Sequence, residues 1–301
     1  MNKVAIIIPY YKITFFEATL QSLANQTDQR FKVYIGNDAS PENPLELLQN
    51  FQGKLDFQYK KFDTNLGSIS LVKHWERCVK MIDIEDWIMI LGDDDFLSKN
   101  AISEFYNNLP KINSNKIKVV RFASQIVSDD IEVTTKAFNH REIESANNFF
   151  HRRSNGLTRS SLSEYFFEAK TLKINFFYNF PLAWYSDDLA ILECSNFGDI
   201  FTINNAITFV RISSLSISGS ENLKEKKQEA TKLYFERLIN LYSNRFSKAN
   251  LQIIILRLES FFYKNPNLKE YFEISKLHIK HIGFIGFLKF NARIYLNRNF
   301  K

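Results

Sequence analysis

Short apolar runs alternate with helical spacing along the first 122 residues of the chain. Runs of strand length occupy residues 3–8, 31–36, 86–91 and 117–122, and apolar and polar side chains alternate over residues 55–61. Between these runs, apolar side chains recur every three to four positions over residues 14–25 and 68–82, as in an amphipathic helix. Strands and helices in this alternation predict an α/β fold with a mostly parallel central sheet flanked by helices.

The pattern changes twice further along the chain. Residues 123–220 are less regular and mix Asn, Ser and aromatic side chains, and we predict that they complete the same domain. Helical spacing returns over residues 222–262. We therefore predict one domain over residues 1–220, with halves at 1–122 and 123–220, followed by a helical extension over residues 221–301.

The composition is that of an ordinary soluble globular protein, with 45% hydrophobic and 24% charged residues. The net charge of +6 is unevenly placed, since residues 221–301 carry 16 Lys and Arg against 7 Asp and Glu. The first 220 residues carry 23 basic and 26 acidic side chains. A near-neutral body with a basic tail argues against a nucleic-acid partner, because the site of such an enzyme should itself be basic.

Two features bear on where the protein works. Cys78 and Cys194 show neither metal-ligand spacing nor a disulfide framework, which favours a reduced, cytoplasmic setting. In addition, no stretch approaches the roughly 18 apolar residues that a transmembrane helix needs.

Polar side chains follow three of the predicted strands at the point where each strand ends. They form the clusters Pro9-Tyr10-Tyr11, Asn37-Asp38 and Asp93-Asp94-Asp95. Open α/β sheets bind ligands beyond the carboxyl ends of their strands, so these clusters predict a ligand site.

The three consecutive aspartates are the sharpest of these signals. Adjacent carboxylates repel one another unless a cation compensates, and alternate residues of an extended segment project to the same side. Asp93 and Asp95 are therefore predicted to face one point and to bind Mg²⁺ or Mn²⁺, which prefer oxygen ligands. The alternative is a solvated acidic turn before the helix that follows Ser98.

The order of the motifs resembles the family 2 glycosyltransferases of the GT-A fold over about residues 1–215. The resemblance implies a nucleotide-binding half at residues 1–122 and an acceptor half at residues 123–220. It also implies that Asp93 and Asp95 are the outer positions of the Asp-x-Asp motif, with Asp95 the direct metal ligand and Asp94 beside the donor.

The same resemblance implies further contacts to the donor. Pro9 and Tyr10 correspond to the nucleotide-base contact, and Asp38 corresponds to the acidic residue that hydrogen-bonds the base or ribose. Asn65 and Gly67 match the Asn-x-Gly turn near the nucleotide. Asp38 and the Asn65 turn also have purely structural explanations, an Asx turn and a helix-entry turn.

A second informative stretch combines aromatic rings with paired carboxylates. Trp184 and Tyr185 are predicted to contact the acceptor, because sugar rings stack on aromatic rings. Asp187 and Asp188 follow at once, and neighbouring carboxylates raise the pKa of one member, as a general base requires. The resemblance implies that Asp188 is the catalytic base and that Asp187 stands where the family usually has Glu. The alternative is that both residues cap the helix near Leu189.

Two further parts of the sequence are notable for their basic side chains, one near the predicted site and one at the end of the chain. The segment 210–213 resembles the one where relatives place a His or Arg near the diphosphate, which implies that role for Arg211; a surface arginine is the alternative. The segment 279–301 mixes apolar residues with Lys289, Arg293, Arg298 and Lys301. It is predicted either to lie on an anionic membrane or to pack its apolar side on the domain.

Together, these features and the resemblance imply a metal-dependent, inverting transferase that uses a nucleoside-diphosphate sugar, with UDP favoured. The acceptor is expected to be a saccharide or a lipid-linked saccharide in the synthesis of bacterial surface polysaccharide or lipopolysaccharide. The expected location is the cytoplasm or the inner face of the cytoplasmic membrane. The alternatives are a sugar-phosphate nucleotidyltransferase and a non-catalytic saccharide- or membrane-binding protein on the same scaffold.

Overall fold

The computed structural model describes residues 4–129, 132–213 and 216–298. Within these ranges nine strands form one sheet. They are β1 (Val4–Tyr10), β2 (Phe31–Asn37), β3 (Phe57–Lys61), β4 (Trp87–Ile90), β5 (Phe96–Leu97), β6 (Val119–Val127), β7 (Ile143–Ser145), β8 (Tyr165–Glu168) and β9 (Asp199–Arg211).

The helices follow the strands in the first half and dominate the end of the chain. They are α1 (Phe16–Ala24), α2 (Leu45–Gln49), α3 (Leu71–Val79), α4 (Ala101–Ser114), α5 (Ala146–Ser154), α6 (Ala169–Ile174), α7 (Ser186–Cys194), α8 (Lys224–Tyr242), α9 (Lys248–Phe262), α10 (Leu268–Leu277) and α11 (Phe284–Arg298). A π-helical segment, His278–Ile282, joins α10 to α11. No helix in the described ranges is long and apolar enough to cross a membrane.

The strand order is β3-β2-β1-β4-β8-β6-β9-β5, with β7 paired to β9. The first four strands are parallel, as the sequence predicts, whereas the second half of the sheet is mixed. The cause is β8, which runs antiparallel between β4 and β6. Because β9 is parallel to β6, the carboxyl ends of β1, β2, β4, β6 and β9 all lie at one edge of the sheet.

Helices cover both faces of the sheet. Alternate side chains of β1 point to opposite faces, so Ile7 joins the core under α3, α5, α7, α8 and α9, whereas Ile6 joins the core under α1, α2 and α4. These two cores hold the sheet between the helices, and the ends of its strands carry the predicted site.

The last helices form a small unit of their own. Phe262, Ile274 and Phe290 join α9, α10 and α11 in a separate apolar cluster. Beside it lies Glu259, which is 2% exposed and accepts hydrogen bonds from Arg293 and His278. Burial alone would raise the pKa of Glu259, but these bonds, with one from the Tyr263 hydroxyl, lower the pKa to about 2.

Candidate active site

The carboxyl ends of the parallel strands surround a cavity of about 500 Å³. The cavity lies where open α/β sheets bind ligands, at the edge where β1, β2, β4 and β9 end. Its lining includes most of the donor-site residues predicted from the sequence: Pro9, Asp38, Asn65, Gly67, Asp93, Asp94, Asp95 and Arg211.

The acidic turn after β4 is held from both sides by backbone groups. Asp93 Oδ2 accepts hydrogen bonds from the backbone N–H groups of Tyr11 (2.7 Å) and Lys12 (2.8 Å). Asp95 Oδ1 accepts one from the backbone N–H of Arg211 (2.9 Å). These bonds tie the loop after β1 and the end of β9 to the turn, so the three aspartates have fixed positions at the cavity.

The aspartates are crowded as well as buried, and this changes their acidity. Burial, together with the neighbouring Asp94 carboxylate, raises the pKa of Asp93 to about 6 and that of Asp95 to about 8. A cation bound beside them would favour their ionised forms.

The chemistry of the turn fits a hard divalent cation. Its donors are carboxylate oxygens, which are ligands that Mg²⁺ and Mn²⁺ accept. The described residues contain no group of three His, Cys, Asp or Glu side chains that could hold a metal ion alone. A cation at Asp93 and Asp95 would therefore complete its coordination with water and phosphate oxygens of a substrate.

Asp38 ties the end of β2 to the turn before α3. Its carboxylate is 3% exposed and accepts hydrogen bonds from the backbone N–H groups of Leu66 and Gly67, both at 2.8 Å. A Cβ atom at Gly67 would lie 2.5 Å from Asp38 Oδ2, so any larger residue here would displace the Asp38 carboxylate. The Asx-type bond of this loop belongs to Asn37 instead, whose Oδ1 accepts from the Ser40 N–H at 2.8 Å.

Two side chains of α3 surround the Asp38 carboxylate. Arg77 donates to Asp38 Oδ1, and His74 Nδ1 lies 3.4 Å from the same oxygen. His74 also lines the cavity. Burial lowers the pKa of His74 to about 4, so this imidazole is neutral near pH 7.

The structure corrects the expected role of Tyr10. Its side chain is fully buried against Phe16, and its hydroxyl donates to the Glu42 carbonyl. Tyr11 lines the cavity in its place, together with Pro9. The reason is the alternation of side chains along an extended segment, which puts positions 9 and 11 on the side opposite to position 10.

Arg211 is a buried part of this site and not a surface residue. It is 2% exposed, and its guanidinium donates to the carbonyls of Ser128, Asp129 and Asp94. The same group lies 4.1 Å from the centroid of the Phe15 ring. Arg211 therefore places a permanent positive charge next to the acidic turn.

The acidic pair of α7 lies outside the lining of this cavity. Asp188 is 3% exposed, and its Oδ1 is 3.4 Å from Arg153 Nε. Asp187 is half-buried, and burial together with the Asp188 carboxylate raises the pKa of Asp187 to about 7. Asp188 is therefore ion-paired with Arg153, whereas the neighbouring Asp187 carboxyl has its pKa raised toward neutral pH.

The backbone before this pair is strained. Leu182, Ala183 and Tyr185 have φ angles of 58°, 54° and 70°, a region that residues other than glycine rarely occupy. Such strain is concentrated at functional sites in folded proteins. Tyr185 stacks on Tyr234 with centroids 4.5 Å apart, so this ring is engaged within the protein.

Lys227 of α8 links Trp184 to the cavity. Its Nζ lies 5.0 Å from the Trp184 ring centroid and donates to the carbonyls of Ser218 (3.1 Å) and Ser220 (2.9 Å). Ser218 lines the cavity. The predicted acceptor residues are therefore one layer removed from the donor cavity.

A second cavity of about 320 Å³ adjoins the first, since both are lined by Ser68 and Leu71. Its other walls are residues 69 and 70, residues 179–182 from the segment just before Trp184, and Lys226 and Glu229 of α8. The strained segment and α8 thus meet beside the donor cavity.

Several site residues carry no signal in the sequence. Arg153 and Lys227 are separated from their partners Asp188 and Trp184 by more than 30 residues, so only the fold brings them together. Ser163 lines the cavity because β8 inserts between β4 and β6, which the alternation of strands and helices does not predict. Tyr11 belongs to the cluster Pro9-Tyr10-Tyr11, and the alternation of side chains along a strand could have predicted that Tyr11, and not Tyr10, faces the cavity with Pro9.

Comparisons with known proteins agree with this geometry. The family model described as glycosyl transferase family 2 matches residues 5–179, more than half of the chain. An uncharacterized glycosyltransferase of Mycoplasma pneumoniae is 27% identical over 112 residues, which are 36% of this chain and 37% of that protein. The chain thus aligns with only about a third of the length of this curated relative.

Solved structures of S. aureus TarS have a similar fold. The complex of its residues 1–349 with UDP-GlcNAc has a TM-score of 0.64 and 17% identity, covering 91% of this chain and 79% of that one. The complex of the same fragment with UDP has a TM-score of 0.61 and 17% identity, covering 91% and 78%. At this identity the similarity establishes the GT-A arrangement of sheet and helices.

Proposed function

The chain belongs to glycosyl transferase family 2 and is a glycosyltransferase, and from this premise we propose that it transfers a sugar from a UDP-sugar to an acceptor hydroxyl with inversion. The observation that carries the proposal is the cavity in which Asp38, the Asn65–Gly67 turn and the three aspartates meet. UDP is favoured because the structures of similar fold include complexes with UDP-GlcNAc and UDP.

The donor would lie with its base near Pro9, Tyr11 and Asp38 and its diphosphate near the acidic turn. Asp95, supported by Asp93, would hold Mn²⁺ or Mg²⁺, which supplies positive charge to the departing diphosphate when bound. Arg211 adds a fixed positive charge on the same side of the cavity. Asp38 acts here mainly by fixing the turn at Gly67, since its oxygens already accept two backbone hydrogen bonds.

The base that deprotonates the acceptor is proposed to be Asp188, at the position that the family pattern assigns to it. The ion pair with Arg153 orients this carboxylate. A second candidate is Asp187, which is more exposed and has a pKa of about 7. Hydrogen bonds of catalytic groups often tighten only when the substrate is bound. Turnover measurements on variants of each residue therefore distinguish Asp188 from Asp187.

The acceptor is proposed to be a saccharide or lipid-linked saccharide that enters beside Trp184 and the second cavity. Synthesis of a bacterial surface polysaccharide or lipopolysaccharide is the proposed setting, on the family resemblance alone. The competing nucleotidyltransferase reaction is disfavoured because residues 9–12, after β1, contain no glycine for a phosphate-binding loop.

The direct test is calorimetric titration of UDP, GDP and CDP, each with and without Mn²⁺, on the wild type and on Asp95→Asn. We expect UDP to bind more tightly with Mn²⁺ and to lose that dependence in the variant. Asp129→Asn is a matched control, since it is the backbone carbonyl of this acidic residue that accepts a hydrogen bond from Arg211. Failure of every nucleotide to bind would contradict the donor site and favour a non-catalytic scaffold.

A further inference from the structure

The outward face of α11 is apolar. Side chains at positions 284, 285, 288, 289, 292, 295 and 296 are exposed, and they follow one side of the helix. All but one are apolar or aromatic: Phe284, Ile285, Leu288, Ala292, Tyr295 and Leu296. A helix packed on a soluble domain normally shows the reverse pattern, with its polar side toward water.

Contacts on the inner side of the helix fix this orientation. Phe290 is 0% exposed and stacks on His278, with ring centroids 5.1 Å apart. Arg293 Nη2 donates to Glu259 Oε2 at 2.7 Å, and the Tyr271 hydroxyl donates to Asn291 at 2.9 Å. Rotating α11 to hide its apolar side would break these bonds and leave Glu259 buried without its arginine.

The charge around the face identifies its partner. Residues 274–301 contain six Lys and Arg and no Asp or Glu. Lys280 and Lys289 are both exposed, one just before α11 and one on its outward face. Apolar side chains next to unopposed lysines suit the interface of an anionic lipid bilayer.

A second copy of the chain fits this face less well. Two copies would bring together two segments of the same positive charge without an acidic residue between them. Crossing the bilayer is excluded for α11 by length, since its 15 residues fall short of the roughly 20 that a spanning helix needs.

We propose that α11 lies in the headgroup region of an anionic membrane, with Phe284, Ile285, Leu288 and Leu296 inserted and Lys280 and Lys289 at the phosphates. Tyr295 would lie at the water interface, where tyrosine is enriched in membrane proteins. This places the enzyme on a lipid surface whatever its donor is, so the inference does not depend on the donor-site proposal.

The test is co-sedimentation of the full chain, without nucleotide, with vesicles of phosphatidylcholine alone and with about a third phosphatidylglycerol. We expect binding to the anionic vesicles and little to the neutral ones. Replacing Lys280 and Lys289 together with Gln should weaken binding about 25-fold, from the roughly fivefold that each lysine contributes near an anionic surface. The pair Ile285→Ser and Leu288→Ser should weaken it at least about tenfold.

Matched controls use exposed residues elsewhere on the surface. Ile84→Ser with Leu157→Ser removes two exposed apolar side chains, and Lys54→Gln with Lys170→Gln removes two exposed lysines. Neither pair should change vesicle binding. Equal loss in the control and α11 variants, or no binding of the wild type to anionic vesicles, overturns the proposal.

Sedimentation velocity of the same proteins tests the competing partner. We expect the wild type and the Ile285→Ser, Leu288→Ser variant to have the same oligomeric state. A wild-type dimer that the variant disperses would assign the face to a second copy and overturn the lipid assignment.

Discussion

Replacing Asp188 by Asn separates catalysis from structure at the acidic pair. The substitution keeps the shape of the side chain and removes its charge. If Asp188 is the general base, kcat should fall by about 10²- to 10⁴-fold, the usual contribution of a positioned base. The affinity for UDP should stay the same, since Asp188 does not line the donor cavity.

The structural cost of the same change follows from the ion pair with Arg153. Removing one member of a fully buried pair costs about 3–5 kcal/mol. The Arg153 side chain is 28% exposed and can be partly hydrated, so we expect about 2 kcal/mol, a loss of a few degrees in Tm. Arg153→Met breaks the same pair while it keeps the carboxylate, and it should cost as much stability.

Turnover of the two variants, with Asp187→Asn beside them, is the assay. We expect Arg153→Met to keep kcat within about tenfold of the wild type, because the base is still present. The reasoning is refuted if folded Asp188→Asn keeps kcat within tenfold of the wild type, or if Arg153→Met loses as much as Asp188→Asn. A 10²-fold loss in Asp187→Asn alone would make Asp187 the base.

Three further predictions concern other parts of the molecule. Gly67→Ala should weaken UDP binding about tenfold or more, because the new Cβ displaces the Asp38 carboxylate from its backbone bonds; unchanged affinity in calorimetry would contradict this. Glu259 has its pKa lowered to about 2, so its stabilisation, about 3 kcal/mol at most, is present above pH 4.5 and lost toward pH 2. In urea unfolding, the free energy of unfolding should fall less from pH 4.5 to pH 2 for Glu259→Gln than for the wild type, and an equal fall in both would refute the assignment. Lys227→Met frees the carbonyls of residues 218 and 220 and should raise the donor KM several-fold with kcat within about twofold, whereas a loss confined to kcat would place Lys227 in the chemistry.

The sequence by itself determined the strands of the first half and the polar residues that follow them. Apolar runs of strand length and the spacing of residues 68–82 are local signals, so β1, β2, β4 and α3 lie close to their predicted positions. Parallel strands bring their carboxyl ends to one edge, and this rule was enough to predict that Asp38 and Asp93 would share a cavity.

Only the tertiary structure decided which groups those residues meet. The antiparallel insertion of β8 made the second half of the sheet mixed, because pairing between strands distant in sequence leaves no periodic trace. For the same reason, the contacts of Arg153 with Asp188 and of Lys227 with Trp184 could not be predicted.

The last helix shows the limit most clearly. Periodicity predicts that residues 279–301 have an apolar side, but it does not say whether that side faces the domain or the solvent. The side chain of Arg298 and the whole of Lys301 lie outside the part of the chain that the structure describes. Arg293 pairs with the buried Glu259 and Phe290 packs on His278, and these contacts, which only the tertiary structure supplies, turn the apolar face of α11 outward.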